Sequence, residues 1–306
     1  MSEQKTKKTA AVVTLYHPKA EAAESLKELG KQVTWLILSD NTPGGDHSAM
    51  FRDLPNAVYL ANGANLGLAA GINRGLESAE ARESDYVFFF DQDSHVPEGH
   101  IDTMVRDWEE IAKEHRIGLL GPRFYDEITG AYNADAILDQ GKDDSSGPYM
   151  PIGQMITSSM MTTYGILKEI GFWNENIFLD YGDYDLCWRL KAAGYELFIT
   201  RNVLLKHRLG DGCVQARDPK SKMVFPLAYG APIRKYYQTR AAIKLLRTNY
   251  VPEDWRKLLK QNLTIRRYFD LRYLPDKWKN TKYYHRGLID GLRGKNGEFR
   301  TKRKPG

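Results

Sequence analysis

A pair of acidic residues in the first third of the chain has the spacing of a cation site. The segment reads YVFFFDQDS, in which Asp91 and Asp93 flank Gln92 directly after an apolar run. Carboxylates two positions apart can hold a hard divalent cation such as Mg²⁺ or Mn²⁺, which is commonly shared with substrate phosphates. A solvated turn is the plain alternative, because Asp and Ser are frequent after strands. The apolar run favours the cation site, since it indicates that the turn emerges from the core.

A second acidic cluster lies in FLDYGDYDLCWRLKAAGYELF, residues 178–198. Three aspartates, Asp180, Asp183 and Asp185, precede a run with helical spacing that ends at Gly194. Acids at a helix start interact favourably with the helix dipole, and this suffices to explain Asp185. Three acids within six residues exceed what a helix start needs. One of the others could therefore act as a general base on the hydroxyl of an acceptor near a bound sugar.

Two further segments carry polar residues that could bind a ligand. His207 follows an apolar run; a lone histidine is more often structural, but two acidic clusters make a metal ligand a fair alternative. In NGANLGLAAGINRGL, Asn65 and Gly67 predict a tight polar turn, and Gly71 and Gly75 allow close helix packing. This segment is not a dinucleotide-binding fingerprint and no Walker-type lysine follows. Simple helix packing is an equal alternative for it.

The apolar pattern predicts the elements that would bring these side chains together. Short apolar or β-branched runs predict strands, and amphipathic spacing predicts helices between them. The predicted strands are 9–15, 33–39, 57–61 and 86–90, and the predicted helices are 19–29 and 67–79. This alternation predicts an α/β fold with a mainly parallel central sheet flanked by helices. Ligands bind beyond the carboxyl ends of the strands in such sheets, so function is expected there.

The C-terminal part differs from the rest in composition. Residues 231–306 hold 21 Lys+Arg and 6 Asp+Glu, a balance of +15, which leaves −10 for residues 1–230 of a chain of net charge +5. We predict a catalytic domain over residues 1–228 and a basic, aromatic-rich helical region over residues 229–306. Residues 122–150 predict a long loop or irregular hairpin. The basic region could pack on the catalytic domain, contact an anionic membrane surface, or, less favourably, bind nucleic acid.

The remaining composition narrows the class of protein. The chain has 306 residues, 42% of them hydrophobic, as expected for a globular protein. Its two cysteines, Cys187 and Cys213, do not support a disulfide framework and favour a reducing compartment. We find neither a run of about 18 apolar residues nor a signal-peptide pattern at the start. We therefore expect neither a membrane-spanning helix nor secretion.

Six short motifs, taken together in this order, resemble one known family. They are V-T-L-Y-H-P (13–18), S-D-N (39–41), N-x-G-x-A-x-G-x-N (65–73), F-D-Q-D-S (90–94), D-Y-x-D-Y-D-L-C-W-R (180–189) and H-x-x-G (207–210). Their order and spacing resemble family 2 inverting glycosyltransferases, and most closely the bacterial rhamnosyltransferases, over about residues 9 to 250. The resemblance implies a GT-A fold that binds a nucleoside diphosphate sugar and Mg²⁺ or Mn²⁺.

The resemblance also implies roles for particular residues. Those expected to bind the nucleotide sugar are Thr14, Tyr16, Asp40, Asn41, Asn65, Gly67, Asp91 and Gln92. Those expected to bind the metal are Asp91, Asp93 and His207. Asp183 matches the catalytic base, with Asp180 as second choice because Gly182 stands where the family usually has a glutamate. Those expected at the donor-sugar or acceptor site are Ser158, Ser159, Asp180 and Trp188.

These roles imply a single-displacement transfer with inversion at the anomeric carbon. Inverting hydrolases pair an acid with a base, and here a metal on the diphosphate can replace the acid. The favoured reaction moves L-rhamnose from dTDP-rhamnose onto a lipid-linked cell-surface glycan, at the inner face of the cell membrane. The alternatives are another donor such as a UDP-sugar, a nucleotidyltransferase, an inactive sugar-nucleotide-binding scaffold, and a nucleic-acid-binding protein that uses the basic region. We expect no nucleic-acid partner and allow for a homodimer.

Overall fold

A computed structural model of the protein describes residues 7–128, 130–132, 147–207 and 210–300. The strands are β1 Thr9–Leu15, β2 Trp35–Asp40, β3 Ala57–Ala61, β4 Tyr86–Asp91, β5 Ile117–Asp126, β6 Ala131–Tyr132, β7 Tyr149–Pro151, β8 Met160–Thr162, β9 Glu196–His207, β10 Gly212–Arg217 and β11 Val224–Tyr229. The helices are α1 Ala20–Gly30, α2 Leu68–Leu76, α3 Ala79–Glu83, α4 His100–Ile111, α5 Tyr164–Ile170, α6 Gly182–Ala192, α7 Ile233–Leu245, α8 Glu253–Asn262, α9 Ile265–Tyr273 and α10 Lys277–Leu292. A 3₁₀-helix spans Ser48–Phe51.

The central sheet is mainly parallel, as the sequence predicts. Its strand order in the described part of the chain is β3-β2-β1-β4-β8-β5-β9-β7, with β6 paired to β5. The pairs β1–β2, β1–β4, β2–β3 and β5–β9 are parallel, whereas the short β8 runs antiparallel to β4 and β5. Parallel strands bring the carboxyl ends of β1, β2 and β4 to one edge of the sheet. Thr14 therefore lies beside both Ser39 and Asp91 in the register.

Alternate residues of β4 enter two separate cores, which explains its run of phenylalanines. Phe88 and Phe90 pack on the face that α4 covers, with Met104. Phe89 points to the other face and meets Trp173 edge-on, with ring centroids 5.2 Å apart. Each fully buried phenylalanine contributes about 1.5–3 kcal/mol through loss of water contact. The strand is therefore anchored on both faces, and it delivers Asp91 to a fixed point on the sheet edge.

Several predicted elements differ from those observed. The helix predicted over 67–79 is two helices, because Ser78 leaves helical geometry and its side chain accepts a hydrogen bond from Ala81 N at 3.2 Å. Asp183 and Asp185 do not precede the helix but lie in the first turn of α6. Residues 122–150 are predicted as a long loop or irregular hairpin; β5 continues into them as far as Asp126 and pairs antiparallel with the short β6, in agreement with the hairpin alternative. Residues 129 and 133–146 of that prediction lie outside the described part of the chain.

The basic C-terminal region is helical and packs against the rest of the molecule. Tyr237 of α7 stacks on Phe178, with ring centroids 4.8 Å apart, and Trp255 of α8 packs against Trp188 of α6 at 5.3 Å. Before these helices, β10 and β11 form a separate antiparallel hairpin. None of the described helices is both long and apolar enough to span a bilayer. The packed arrangement, one of the three alternatives for this region, is thus present in the structure.

Candidate active site

A large cavity opens at the carboxyl ends of β1 and β4. Its volume is about 670 Å³, and it lies between that sheet edge, the start of α6, the base of the β10–β11 hairpin and the N-terminal part of α7. Eight residues that the sequence singles out line it: Thr14, Tyr16, Asp91, Gln92, Asp93, Ser158, Asp180 and Asp183. Residues from four separate parts of the sequence therefore meet at one site. The edge is the one where a parallel sheet is expected to bind its ligand.

The Asp91–Asp93 pair has the donor set of a cation site. Asp91 ends β4 and is half-buried, and its carboxylate accepts a hydrogen bond from the hydroxyl of Ser158. Asp93 is exposed at the cavity. No group of three or more His, Cys, Asp and Glu side chains in the described part of the chain is arranged to hold a metal. Two carboxylates suit Mg²⁺ whose remaining ligands are water and substrate phosphates, so the residues present fit such an ion.

The Gln92 side chain, between the two aspartates, forms two hydrogen bonds with the backbone just after β1. Its side-chain oxygen accepts from Tyr16 N at 2.9 Å, and its amide nitrogen donates to Tyr16 O at 3.3 Å. The two hydrogen bonds fix the Tyr16 backbone beside the Asp91–Asp93 pair. The Tyr16 ring is left 46% exposed, which makes it available to stack on a flat ligand. Thr14 Oγ1, behind it, is buried and has no hydrogen-bond partner among the described residues.

Asp180 and Asp183 have different surroundings although both line the cavity. Asp180 forms an ion pair with Arg234, whose Nη2 lies 2.5 Å from Oδ1, and Gln238 Nε2 lies 3.4 Å from the same oxygen. The negative charge of the adjacent Asp180 carboxylate raises the pKa of Arg234. Asp183 lies at the N-terminal turn of α6, half-buried, and its Oδ1 accepts from Tyr184 N at 2.9 Å. The structure thus ties Asp180 to α7, whereas Asp183 lies on the first turn of α6 at the cavity.

The turn before α6 is strained. Asp180 and Tyr181 have φ angles of +58° and +64°, a left-handed conformation that non-glycine residues rarely adopt. Each such residue costs of order 1 kcal/mol or more and persists where the surroundings enforce it. The ion pair with Arg234 supplies such a constraint at Asp180. Helix α7 therefore helps to set the geometry of the acidic turn.

Four residues expected to bind the nucleotide are engaged in holding the loops around the cavity. The buried carboxylate of Asp40 accepts from Thr42 N at 2.8 Å and Tyr59 Oη at 2.6 Å, and it lies 2.7 Å from His47 Nδ1. Burial alone would raise the pKa of Asp40, but hydrogen bonds from Thr42, Tyr59 and His47 together lower it. Asn41 Nδ2 donates to Gly67 O at 2.8 Å, and Asn65 Oδ1 accepts from Gly67 N at 3.1 Å.

Three other predicted site residues do not reach the cavity with a described side chain. Ser159 is fully buried, and its hydroxyl lies 2.6 Å from His100 Nε2. Trp188 is 1% exposed and packs against Trp255, so the structure places it in the core. His207 ends β9 and pairs with Asp126, and its side chain lies outside the described part.

The sequence reasoning missed the contribution of the C-terminal region to this cavity. Arg234, Lys235 and Gln238 of α7 and Arg266 of α9 all line it. Lys235 Nζ forms an ion pair with Asp270 at 3.0 Å. Burial of the Lys235 side chain removes it from water and lowers its pKa. No local pattern links Arg234 to Asp180, because 54 positions separate them. In the sequence, the high density of Lys and Arg after Pro232 is the one indication that this region could contribute to the site.

Comparison with known proteins identifies the N-terminal part. Residues 11–140 match the family model described as Glycosyl transferase family 2. The dTDP-rhamnosyl transferase RfbF of Shigella flexneri is 25% identical over 249 residues, which cover 79% of this chain and 81% of the relative. The N-acetylglucosaminyl-diphospho-decaprenol L-rhamnosyltransferase of Mycobacterium tuberculosis is 22% identical over 225 residues, which cover 63% of this chain and 71% of the relative.

Solved structures share the fold. S. aureus TarS 1–349 in complex with UDP-GlcNAc has a TM-score of 0.54 at 15% identity, with 94% of this chain and 81% of that chain covered. GalNAc-T7 with UDP, GalNAc and Mn²⁺ has a TM-score of 0.53 at 9% identity, with 85% and 55% covered. At sequence identities this low, the structural similarity shows the fold alone. The chain is a glycosyltransferase with a GT-A fold, and it carries a Glycosyl transferase family 2 domain.

Proposed function

We propose that the chain is a metal-dependent inverting transferase that moves L-rhamnose from dTDP-rhamnose onto a lipid-linked glycan acceptor. One observation carries the chemistry: Asp91 and Asp93 share a single cavity with Asp183. The names of the two relatives support rhamnose as the sugar, since both are rhamnosyltransferases. The second relative's name includes a diphospho-decaprenol, which supports a lipid-linked acceptor.

Asp183 acts as the general base in this proposal. Its carboxylate takes the proton of the acceptor hydroxyl while that oxygen attacks the anomeric carbon. The bond from the anomeric carbon to the phosphate oxygen breaks on the opposite face, and the electron pair leaves with the nucleoside diphosphate. One displacement inverts the anomeric configuration. Asp180 is not needed for this step, because its ion pair with Arg234 makes it a support for the acidic turn.

Asp91 and Asp93 would hold a Mg²⁺ or Mn²⁺ ion, with His207 as a further candidate ligand. Such an ion supplies positive charge that stabilises the developing negative charge on the diphosphate. The Ser158 hydroxyl, by donating to Asp91, fixes the orientation of that carboxylate. Ser158 acts in this way as a positioning residue for the acidic pair.

The nucleotide would bind along the edge formed by β1 and β2. Thr14 Oγ1 is buried without a partner in the described part of the chain, so a ligand atom there would satisfy it. The half-exposed Tyr16 ring offers a face for a base or sugar. Asp40, Asn41, Asn65 and Gly67 would support these contacts by holding the loops in place. Because the acceptor is lipid-linked, we expect the enzyme at the inner face of the cell membrane.

The decisive experiment offers the purified protein dTDP-rhamnose and a panel of UDP-sugars with Mg²⁺ or Mn²⁺ and a lipid-diphosphate-linked glycan acceptor. We expect release of dTDP that depends on the acceptor and stops when the cation is chelated. Turnover with a UDP-sugar and not with dTDP-rhamnose would contradict the donor. Absence of turnover with every donor would contradict the metal-dependent transfer. Mass analysis of the product gives the sugar that was added.

A further inference from the structure

One surface of the molecule combines positive charge with exposed apolar side chains. It consists of residues 217–224, at the tip of the β10–β11 hairpin, and residues 271–282, from the end of α9 into α10; we name it the basic tip. The two segments meet where Tyr273 Oη donates to Arg217 O at 3.1 Å. The neighbouring Leu274 is buried in one cluster with Ala216. The basic tip is therefore a single surface although its halves are about 50 positions apart in sequence.

The charge of the basic tip is strongly positive. Its two segments hold seven Lys and Arg against two Asp, a net charge of +5. Asp218 is engaged within the hairpin turn, where Oδ1 accepts from Lys220 N at 2.9 Å and Ser221 N at 2.6 Å. Asp276 pairs with Lys279 at 3.0 Å. Most of the cations thus face water without a neutralising carboxylate of the same surface.

Large apolar side chains project among these cations. Trp278 is 85% exposed, Met223 64% and Val224 59%. A scattered exposed apolar residue needs no explanation, but a tryptophan and two aliphatic side chains beside unpaired lysines form the pattern of a membrane-surface site. The rings and aliphatic chains can enter the headgroup layer while the cations meet anionic lipid. A single-stranded nucleic acid would instead favour several aromatic platforms, and only Trp278 is a ring of this exposure here.

The basic tip is also connected directly to the cavity. Gly210, Ala228, Tyr229 and Gly230 at the base of the hairpin line the cavity. From Gly212 to Arg217 the strand covers about 17 Å at an extended rise. A surface bound at the tip would thus lie within reach of an acceptor whose glycan occupies the cavity and whose lipid lies in the bilayer.

We propose that the basic tip docks the protein on an anionic lipid bilayer, with Trp278, Met223 and Val224 in the headgroup layer. The docking stands on the charge and exposure of the tip, whereas its use in presenting a lipid-linked acceptor rests on the proposed function. The docked state sets the cavity about one hairpin length above the membrane. The occupant is the lipid surface, and not a protein partner or a nucleic acid.

Sedimentation of the full chain with vesicles tests the docking. Vesicles of phosphatidylcholine with about one third phosphatidylglycerol should bind the protein, and pure phosphatidylcholine should bind it far more weakly. Each lysine near an anionic surface is worth about fivefold in partitioning, so the triple variant Lys220→Glu, Lys222→Glu, Lys277→Glu should bind on the order of 100-fold more weakly. Acrylamide should quench Trp278 in solution, and anionic vesicles should protect it.

A control variant changes the net charge by the same amount elsewhere. Lys19→Glu, Lys31→Glu, Lys113→Glu alters exposed lysines outside the basic tip and should keep vesicle binding nearly intact. Neither triple variant should change dTDP release with a water-soluble acceptor analogue, since none of the six lysines lines the cavity. Equal binding by both triple variants would overturn the proposal, as would equal binding to neutral vesicles. Tighter binding to an oligonucleotide than to anionic vesicles would assign the tip to nucleic acid instead. Vesicle binding without sugar transfer would contradict the proposed function alone.

Discussion

Asp180 and Asp183 lie three residues apart, and the difference between them is set by their neighbours. Arg234 forms an ion pair with Asp180, whereas Asp183 lies in the first turn of α6 at the cavity. Asp183→Asn keeps the shape of the side chain but removes its ability to accept a proton. We expect nucleotide affinity to stay within a few-fold of wild type and the transfer rate to fall by about 10²–10⁴. Calorimetric titration of the nucleotide and a dTDP release assay measure the two quantities separately.

Asp180→Asn is the matched control for that experiment. It weakens the pair with Arg234, so we expect lower stability and a smaller loss of transfer rate. A variant at Asp183 that still transfers sugar, beside one at Asp180 that does not, would show that the two roles are reversed.

His100 is a buried residue whose protonation should affect stability. It is 1% exposed, and burial lowers the pKa of its ring to about 4. In the unfolded chain the pKa is about 6.5, so the unfolded state binds more protons between these values and stability falls as pH falls from 6.5 towards 4. We expect this residue to account for about 2 kcal/mol of lost unfolding free energy between pH 7 and pH 5.

Urea unfolding of wild type and His100→Gln at pH 7 and pH 5 isolates the histidine. The glutamine can still contact Ser159, but it cannot be protonated. The difference between the two pH values should therefore be smaller in the variant. An identical pH dependence in both proteins would show that the pKa of His100 does not fall on folding.

At the scale of elements, the loop before α2 packs against the segment that leads into Asp180. Gly67 has a φ of +88°, and an added Cβ would lie 2.6 Å from the carbonyl oxygen of Phe178. In addition, Leu68 N donates to that same oxygen at 2.8 Å. Gly67→Ala must therefore displace the segment that leads into Asp180. We expect a loss of about 2–4 kcal/mol in stability and a lower transfer rate, from strain and clash together.

Gly63→Ala separates strain from clash. Gly63 also has a positive φ, +67°, but nothing lies within 4 Å of an added Cβ. Its replacement should cost only about 1 kcal/mol and leave transfer unchanged. The measurements are urea unfolding and dTDP release for both variants. Equal effects at the two positions would argue against the support that we assign to this loop.

At the scale of the whole molecule, the C-terminal helices complete the site and cover the catalytic core. Trp255 contacts Trp188 and donates from its indole nitrogen to Gln154 Oε1 at 2.9 Å. Arg240 of α7 is 2% exposed and its guanidinium lies 6.0 Å from the ring centroid of Phe178, while Arg234 forms an ion pair with Asp180. The acidic body and the basic region therefore join through an apolar interface as well as through charge. The division at residue 228 stays a prediction from amino-acid composition. Side chains from both sides of residue 228 pack in one hydrophobic cluster.

A chain truncated after residue 228 tests this coupling. Without α7 and α8 the face that carries Ile177 and Trp188 loses its cover, so we expect an aggregated or unstable product without nucleotide binding. Supplying residues 229–306 as a second polypeptide should recover soluble protein in part. Circular dichroism melting and nucleotide titration give the result. A soluble fragment with a cooperative melt and full nucleotide affinity would instead establish residues 1–228 as an independent domain.

The sequence alone determined the first four strands of the sheet and the position of its acidic edge. Apolar runs such as 86–90 report burial over a few neighbouring residues, and a parallel arrangement then brings Thr14, Asp40 and Asp91 to one side. The resemblance of six ordered motifs added the family, which the comparisons confirm. The predicted secondary structure was least accurate at boundaries such as Ser78, where one side-chain hydrogen bond caps the start of a second helix.

Only the tertiary structure decided which of these residues face the cavity. Ser159 and Trp188 are expected at the site but are buried in the core, and Asp40 is engaged by His47 and Tyr59. The separation of Asp183 from Asp180 depends on Arg234, which a distant helix brings to the site. The physical reason is common to these cases. Periodicity encodes local burial, whereas the charge state and direction of a side chain depend on partners that only folding brings within a few ångströms.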